Sequence, residues 1–428
     1  METKAVIENG FKKTGIGLIP KDWEAVNIDR YVRFERGTEP GSANYNKEEK
    51  GTRFLRIVDM SGSRDDRIYT TSDNIKTCKG KDVLITFDGS PGVVRRGLAG
   101  AYSSGIRKIL ITSNNLALDY IYYVLQTRFV QETIKKYTTG VTIKHSSKVI
   151  PHIKIPLPLP AEQQKIASIL SKIQQAIEQQ DRIIETTKEL KKSVMNKLFR
   201  EGLHGEEQKE TEIGLMPKSW GVVKLGEFKE LITKGSSPRW QGFNYCDRGI
   251  IFVRSQNVGF GELLLNDTVY LPIKFNEKEK RSIIKANDIL INLVGASIGR
   301  AAVATSNIEG GNLNQAVAIV RLKPSYFVPQ FLMYYLLTDN GQRQIHLNKK
   351  EIARANISLQ DVNNFIVPKP EGSEQVEIVN FLSSLDKKLS QADARKQALQ
   401  ALFRTMLNQL MTGRIRVKDL DIEVQNND

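Results

Sequence analysis

A chain of 428 residues with 40% hydrophobic and 26% charged side chains is long enough for about three domains and too apolar to be disordered. Lysine and arginine outnumber aspartate and glutamate 63 to 48, a net charge of +15 that favours a phosphate backbone as partner through counterion release. Two cysteines exclude a disulfide framework or a four-thiolate zinc site; with no long apolar run and no signal-like start, a soluble cytoplasmic protein with no membrane contact is expected.

The first element is IGLIPKDWE at residues 16–24, which returns as IGLMPKSWG at 213–221 with six of nine positions identical. Trp23 and Trp220 within it are expected to anchor domain cores. Short β-branched runs bounded by Gly, Asp or Asn follow at 53–58 and 81–87 and predict strands. Residues 119–137 predict a helix, and IPLPLP at 155–160 reads as helix-entry punctuation, since proline cannot continue a strand ladder but tolerates a first helical turn. Beyond it, Ile166, Leu170, Ile173, Ile177, Gln180, Ile184, Thr187, Lys191, Val194 and Leu198 alternate in steps of four and three. This is a heptad seam, with Ile169, Ile183 and Leu190 broadening the stripe, and REG at 200–202 ends the helix on glycine.

The second half repeats the plan. Residues 250–255 and 287–295 predict strands and 329–345 a helix. VPKPEGSEQVEIVNFL at 367–382 then matches IPLPLPAEQQKIASIL at 155–170, so that Pro156 meets Pro368, Glu162 meets Glu374, Ile166 meets Ile378 and Leu170 meets Leu382. The second seam is Ile378, Leu382, Leu385, Leu389, Ala392, Lys396, Leu399, Phe403, Met406 and Leu410, closed by MTGR at 411–414. Each helix approaches forty residues, or ~55–60 Å, and two such stripes in one chain are expected to bury each other as an antiparallel pair. The fold class is therefore α+β: two pseudo-symmetric globular α/β domains, each followed by a long helix, the two helices forming an antiparallel coiled coil. The expected boundaries are 1–157 and 203–369 for the globular domains, 158–202 and 370–413 for the helices, and 414–428 for a tail.

Motifs for autonomous chemistry are missing from the sequence. It holds no phosphate-cradling P-loop and no Asn-Pro-Pro-aromatic methylation motif; GSPG at 89–92 and GASIG at 295–299 read as turns. His145, His152, His204 and His346 are scattered without metal-ligand spacing, and Glu178, Glu185 and Glu189 read as solvated helix charges. No catalytic residue, metal or cofactor of its own is expected.

DNA contacts are expected from basic residues set among hydroxyl, amide and glycine residues in loops, because Lys and Arg neutralise phosphates and Arg reads guanine. The candidates are Arg53, Arg56, Arg95, Arg96, Lys144 and Lys148 in the first half, and Lys234, Arg239, Arg254, Arg300, Lys349, Lys350 and Arg354 in the second. They are drawn from a wider set that also holds Arg64, Arg67, Arg107, Lys108 and Arg281. The favoured contact loops are 138–148 and 348–358, which fall at corresponding places before the prolines. Arg56 and Arg254 end matching strands, with Asp59 and Asn257 as alternative, purely structural partners.

A globule opening on I-G-x-x-P-x-x-W and closing on prolines and E-Q-x-x-I before a long helix, twice over, resembles the specificity subunit of Type I restriction–modification systems. The resemblance covers nearly the whole chain. It implies two target recognition domains, each reading one half of a bipartite site in double-stranded DNA, and a coiled coil that sets the spacer. It further implies that two methyltransferase subunits, carrying S-adenosylmethionine and the DNA methylation chemistry, dock on the scaffold, and that restriction subunits bring ATP-driven cleavage. The chain itself is then not an enzyme. The alternatives are a structural coiled-coil scaffold without sequence-specific reading, and a fragment of a self-sufficient DNA methyltransferase.

Overall fold

The computed structural model describes residues 10–62, 66–141, 144–323, 326–347 and 356–422. Two compact units emerge, Met1–Asp181 with Ala394–Asp428, and Arg182–Asp393. Their boundary falls inside both long helices, Pro160–Glu201 and Gly372–Met411. Each globule therefore owns the opening half of the helix that follows it and the closing half of the other, a partition different from one whole helix per globule. The pairing direction explains it. In the first unit Glu162 meets Arg416 and Asp181 meets Lys396; in the second, Lys191 meets Asp386 and the Leu203 amide meets Glu374. In both units one helix ascends as the other descends, which is an antiparallel pair.

Within the first unit a four-stranded antiparallel sheet runs in the order Val94–Arg95, Leu84–Thr86, Ile106–Ile111, Val32–Arg36. A five-stranded sheet beside it includes Thr52–Leu55 and Gly100–Tyr102 as parallel neighbours. The second unit repeats the frame: Ala301–Val303, Ile289–Asn292, Val317–Leu322 and Lys229–Lys234 form the four-stranded sheet, and Ile250–Val253 lies parallel to Asn312–Leu313 in a three-stranded one.

Pro156 and Pro368 depart from the helix-entry reading. They sit in strands, Lys154–Leu157 paired with Glu24–Asn27 and Ile366–Lys369 paired with Gly221–Lys224. Each ladder has only two strands, so one edge of each strand is unpaired and a missing N–H is tolerated there. The helix predicted at 119–137 is two, Leu118–Val124 and Arg128–Lys136, and that at 329–345 is also two, Pro329–Leu337 and Asp339–Leu347. Thr127 and Thr338 stand at the breaks, each hydroxyl donating to the carbonyl three residues back (Val124 O, 2.5 Å; Tyr335 O, 2.6 Å), a local bond that competes with the helix.

The seams supply much of both cores. Ile166, Leu170 and Ile184 on the first helix and Ile378, Leu382, Leu385 and Leu410 on the second are buried. Ile173, Ile177, Val194, Leu198, Leu389, Leu399, Phe403 and Met406 are half-buried. Met195, Phe199, Leu407 and Met411, outside the seam, are buried as well, because the closing half of each helix is also covered by the globule it joins. Phe199, for example, packs against Trp220, Phe331 and Tyr335. Ile183 and Leu190 do not broaden the stripe; they are 43% and 52% exposed. The polar interruption at Lys191 is resolved internally: its ammonium pairs with Asp386, which also accepts from the Tyr334 hydroxyl at 2.6 Å. Among the described residues no helix is long and apolar enough to cross a membrane.

The repeated tryptophans are anchors. The Trp23 indole N–H donates to Glu162 (3.1 Å) and that of Trp220 to Glu374 (2.8 Å), so the opening motif is tied to the first turn of the long helix in both units. The next residue repeats the device. Gln163 bonds Pro158 O, Asn115 O and the Ala117 amide, and Gln375 bonds Pro370 O, Tyr326 O and the Val328 amide.

Candidate nucleic-acid interface

Strand direction decides which loops share a face. In the first unit Val32–Arg36 and Leu84–Thr86 both run against Ile106–Ile111, with Arg36 opposite Arg107 and Thr86 opposite Ile106. Both therefore leave the sheet at the same end, and loops 37–44 and 87–93 emerge together. In the second unit Lys229–Lys234 and Ile289–Asn292 both run against Val317–Leu322, with Lys234 opposite Ala318 and Asn292 opposite Val317, so loops 235–242 and 294–299 emerge together in the same way.

The first favoured contact loop is stitched to this end, as are the described residues 356–358 that close the second; residues 348–355 of that loop lie outside the described residues. In the first unit the Gly89 amide donates to Lys144 O (2.8 Å), the Ser146 amide to Phe87 O (2.8 Å), and Asp88 bridges His145. In the second unit Val294 bridges Asn356 and the Ile357 amide donates to Leu293 O (2.9 Å). The two glycine loops are braced identically from behind. Gln131 donates to Gly92 O (2.9 Å) and Leu125 O (2.7 Å); Gln342 donates to Gly299 O (3.0 Å) and Leu336 O (2.7 Å). Gly92 (φ +93°) and Gly299 (φ +82°) lie in the left-handed region, and a Cβ there would come within 2.6 and 2.7 Å of the glutamine oxygens. These loops are more than turns: they are held at the sheet end by matched contacts.

In the first unit the stitched loops border a groove of about 640 Å³ lined by Gly89, Ser90, Pro91, Arg128, Gln131, Glu132, Lys135, Thr138, Gly140 and Lys144. Glu132 pairs with Arg128 at 2.7 Å. Lys135 and Lys144 are exposed and form no ion pair among the described residues, so two ammonium groups are left for a polyanion. Arg107, outside the groove lining, ties the sheet to the stitched loops, donating to Ser104 O, to Ile106 O at 3.2 Å and to Ser147 Oγ at 3.2 Å, and lying 3.8 Å from Asp88, which also holds His145 at 2.7 Å. Burial pulls the Arg107 pKa down and Asp88 opposes it; the guanidinium stays charged at physiological pH.

The other sequence candidates fall into three groups. Lys144 and Lys148 in the first unit, and Lys234 and Arg239 in the second, are exposed in or beside the gathered loops. Arg300 follows the second glycine loop, its guanidinium 5.4 Å from the Phe260 ring centroid and its Nε buried without a hydrogen-bond partner among the described residues. Arg56 and Arg254 are committed internally, and in the same way: each backbone amide donates to the residue three ahead (Asp59, 2.8 Å; Asn257, 3.0 Å), and each Nη2 to a distant carbonyl (Asp66 O, 2.6 Å; Asp267 O, 2.5 Å). Arg53 lies 3.8 Å from Asp59, Arg95 closes the helix Ile57–Ser61 through Met60 O (2.7 Å), and Arg96 pairs with Asp119 (2.9 Å) over the Tyr122 ring, away from the loops. Lys349, Lys350 and Arg354, with Arg64, lie outside the described residues. Sequence reading missed Ser90, Lys135 and the braces; the signal for the braces was present as a glutamine at one place in both matching helices.

Two copies of one frame, each presenting its own loops at one sheet end and each tied to half of a helix pair, define a duplicated binding protein. The chain matches the Type I restriction modification DNA specificity domain over residues 20–188 and 217–401, and belongs to that family. It is similar to the Type I restriction enzyme MjaVIII specificity subunit of Methanocaldococcus jannaschii, 28% identical over 434 residues that cover 97% of this chain and 98% of that one. It is also similar to the EcoBI specificity subunit of Escherichia coli, 25% identical over 451 residues covering 98% and 92%. In fold it resembles the Type I restriction–modification S subunit from M. genitalium (TM-score 0.57, 18% identity, covering 91% of this chain and 96% of that one). It likewise resembles a chain from a structural study of assembly and conformational transition in the type I R-M system (TM-score 0.56, 16% identity, covering 93% and 99%).

Proposed function

We propose that this chain is the DNA-reading subunit of a Type I restriction–modification complex, without catalysis of its own. Each unit reads one half of a bipartite site, and the paired helices set the spacer between the halves. The carrying observation is the pairing of a shared frame with unlike loops. The Trp–Glu, Gln–carbonyl and Gln–Gly contacts recur bond for bond, whereas the residues in the presented loops differ between the units. A duplicated scaffold suits two copies of one partner, and unlike loops suit two different half-sites. The partners are double-stranded DNA, two methyltransferase subunits that bring S-adenosylmethionine, and restriction subunits that bring ATP.

The test is to co-purify the chain with its methyltransferase partner and map the methylated sites by sequencing. A single bipartite motif is the expected result. Methylation without sequence preference would refute the reading and favour a bare scaffold. The spacer role has its own test. Removing residues 181–187 and 390–396, the facing heptads around the Asp181–Lys396 and Lys191–Asp386 contacts, takes out about 10 Å of helix. The spacer should shorten by about three base pairs; an unchanged spacer rules the role out.

A further inference from the structure

Loop 235–242 of the second unit leaves the sheet beside the braced glycine loop, and its frame is copied in the first unit. Gly235 and Gly37 both pack so closely that a Cβ would lie 1.6 Å from Leu313 O and 2.2 Å from Tyr102 O. Pro238 and Pro40 follow at the same spacing. Tyr245 then packs on Phe252 (6.1 Å between centroids) as Tyr45 packs on Phe54 (4.8 Å). Inside this shared frame the first unit carries Gly41, Ser42 and Ala43, and the second carries Arg239, Trp240 and Gln241.

Trp240 is 84% exposed. Such a large apolar surface left in water is unusual for a side chain that normally buries its ring. Nor does it sit on a loose segment. The Gln241 and Phe243 amides donate to Pro238 O (3.0 and 2.9 Å), the Gly242 amide to Arg239 O (3.1 Å), and Lys278 Nζ to Gln241 O (3.2 Å). Phe243 is pinned edge-on against Phe275 at 5.4 Å. Arg239 next to it and Lys234 at the end of the preceding strand are exposed and form no ion pair among the described residues. A turn held this firmly presents its side chains with little further ordering cost on binding.

The chemistry of the triplet is that of base reading. Arginine matches the two acceptors of guanine, glutamine the donor–acceptor edge of adenine, and an indole packs on a thymine methyl or a base face. We propose that Arg239, Trp240 and Gln241 are specificity-determining residues of the second unit, contacting base edges of its half-site. This rests on the DNA-reading function above. Because Trp240 buries little of itself in the fold, its replacement leaves the fold intact, which thermal melting verifies.

The experiment maps methylated sites for the full chain with its methyltransferase, as wild type, Trp240→Ala, Arg239→Ala and Trp240→Phe. Trp240→Ala and Arg239→Ala should relax discrimination about tenfold or more at one or two positions of one half-site, with the other half-site unchanged. Trp240→Phe should keep part of the preference. An unchanged motif in both alanine variants overturns the assignment. So does an equal loss at all sites with weaker complex assembly, which places Trp240 at a protein interface instead. Wild-type methylation without sequence preference overturns the functional reading and this assignment together, whereas a normal wild-type motif left untouched by the variants overturns only the latter.

Discussion

Arg416→Ala is the most informative perturbation of the scaffold. Glu162, 3% exposed, accepts from Trp23 Nε1 (3.1 Å), Arg416 Nε (2.9 Å), Arg416 Nη2 (3.0 Å) and the Val417 amide (3.4 Å). Arg416 also holds Asp22 through two bonds (2.9 and 2.7 Å) and lies 5.4 Å from the Trp23 ring centroid. The substitution removes two of the four bonds and strands a buried carboxylate, a change that costs about 3–5 kcal/mol when the pair is fully buried. Because the arginine side chain is 26% exposed and water can enter its place, we expect about 3 kcal/mol, the lower end of that range. For a unit of 150–250 residues that corresponds to a melting shift of roughly 6–12 °C. The matched carboxylate, Glu374, bonds Trp220 and the Leu203 amide instead, so the damage should stay in one unit. Thermal melting combined with peptide-resolved hydrogen exchange reads both quantities: peptides holding Trp23 and Glu162 should loosen while those holding Trp220 and Glu374 keep their protection. A shift below about 1 °C, or equal loosening of both sets, refutes the reasoning. Acid provides a second check. Burial pushes the Glu162 carboxyl up, but bonds from Arg416 and Trp23 outweigh it and hold the pKa below the ordinary 4.5. The stabilisation is thus complete above pH ~4.5 and is lost as pH falls through the lowered folded value. Without Arg416 only the Trp23 and Val417 bonds oppose burial, so the folded pKa rises relative to wild type and the stability gap between wild type and variant should narrow on acidification from pH 7 to 4.

The brace and the helix pair give further predictions. Gly92→Ala and Gly299→Ala each force a Cβ into a left-handed position against a glutamine oxygen; each should cost about 1–2 kcal/mol in a melt and weaken methylation through one half-site. Gln131→Ala removes one hydrogen bond to the glycine loop, at Gly92 O, and one to Leu125 O at the preceding helix end, and should cost about 1–2 kcal/mol in urea unfolding with the slope unchanged. Lys191→Met leaves Asp386 with the Tyr334 hydroxyl and without its cation; because Asp386 is partly solvated, a loss of about 1 kcal/mol is expected, reduced when Asp386→Asn is added in a double-mutant cycle.

The amino-acid sequence alone determined the duplication, the α+β class and the two long helices, because these rest on local chemistry repeated twice: heptad apolar spacing, helix-ending glycine and the Trp, Glu and Gln positions. It also singled out loop 138–148, which the structure places at the gathered sheet end, since basic residues among hydroxyls and glycines are visible without a fold; most of loop 348–358 lies outside the described residues. Tertiary structure decided the rest. Pro156 and Pro368 read as helix entry because the two-stranded ladders that tolerate them pair segments more than a hundred residues apart. For Arg56 and Arg254 the local partners Asp59 and Asn257 were legible three residues ahead, whereas the carbonyls of Asp66 and Asp267, which take up the guanidinium groups, come from further along the chain. The glycine loops read as bare turns because their braces, Gln131 and Gln342, arrive from helices about forty residues away. Which loops share a face followed from strand direction, and which half of each helix belongs to which globule followed from antiparallel pairing. Both are properties of long-range register, which no local window of sequence contains.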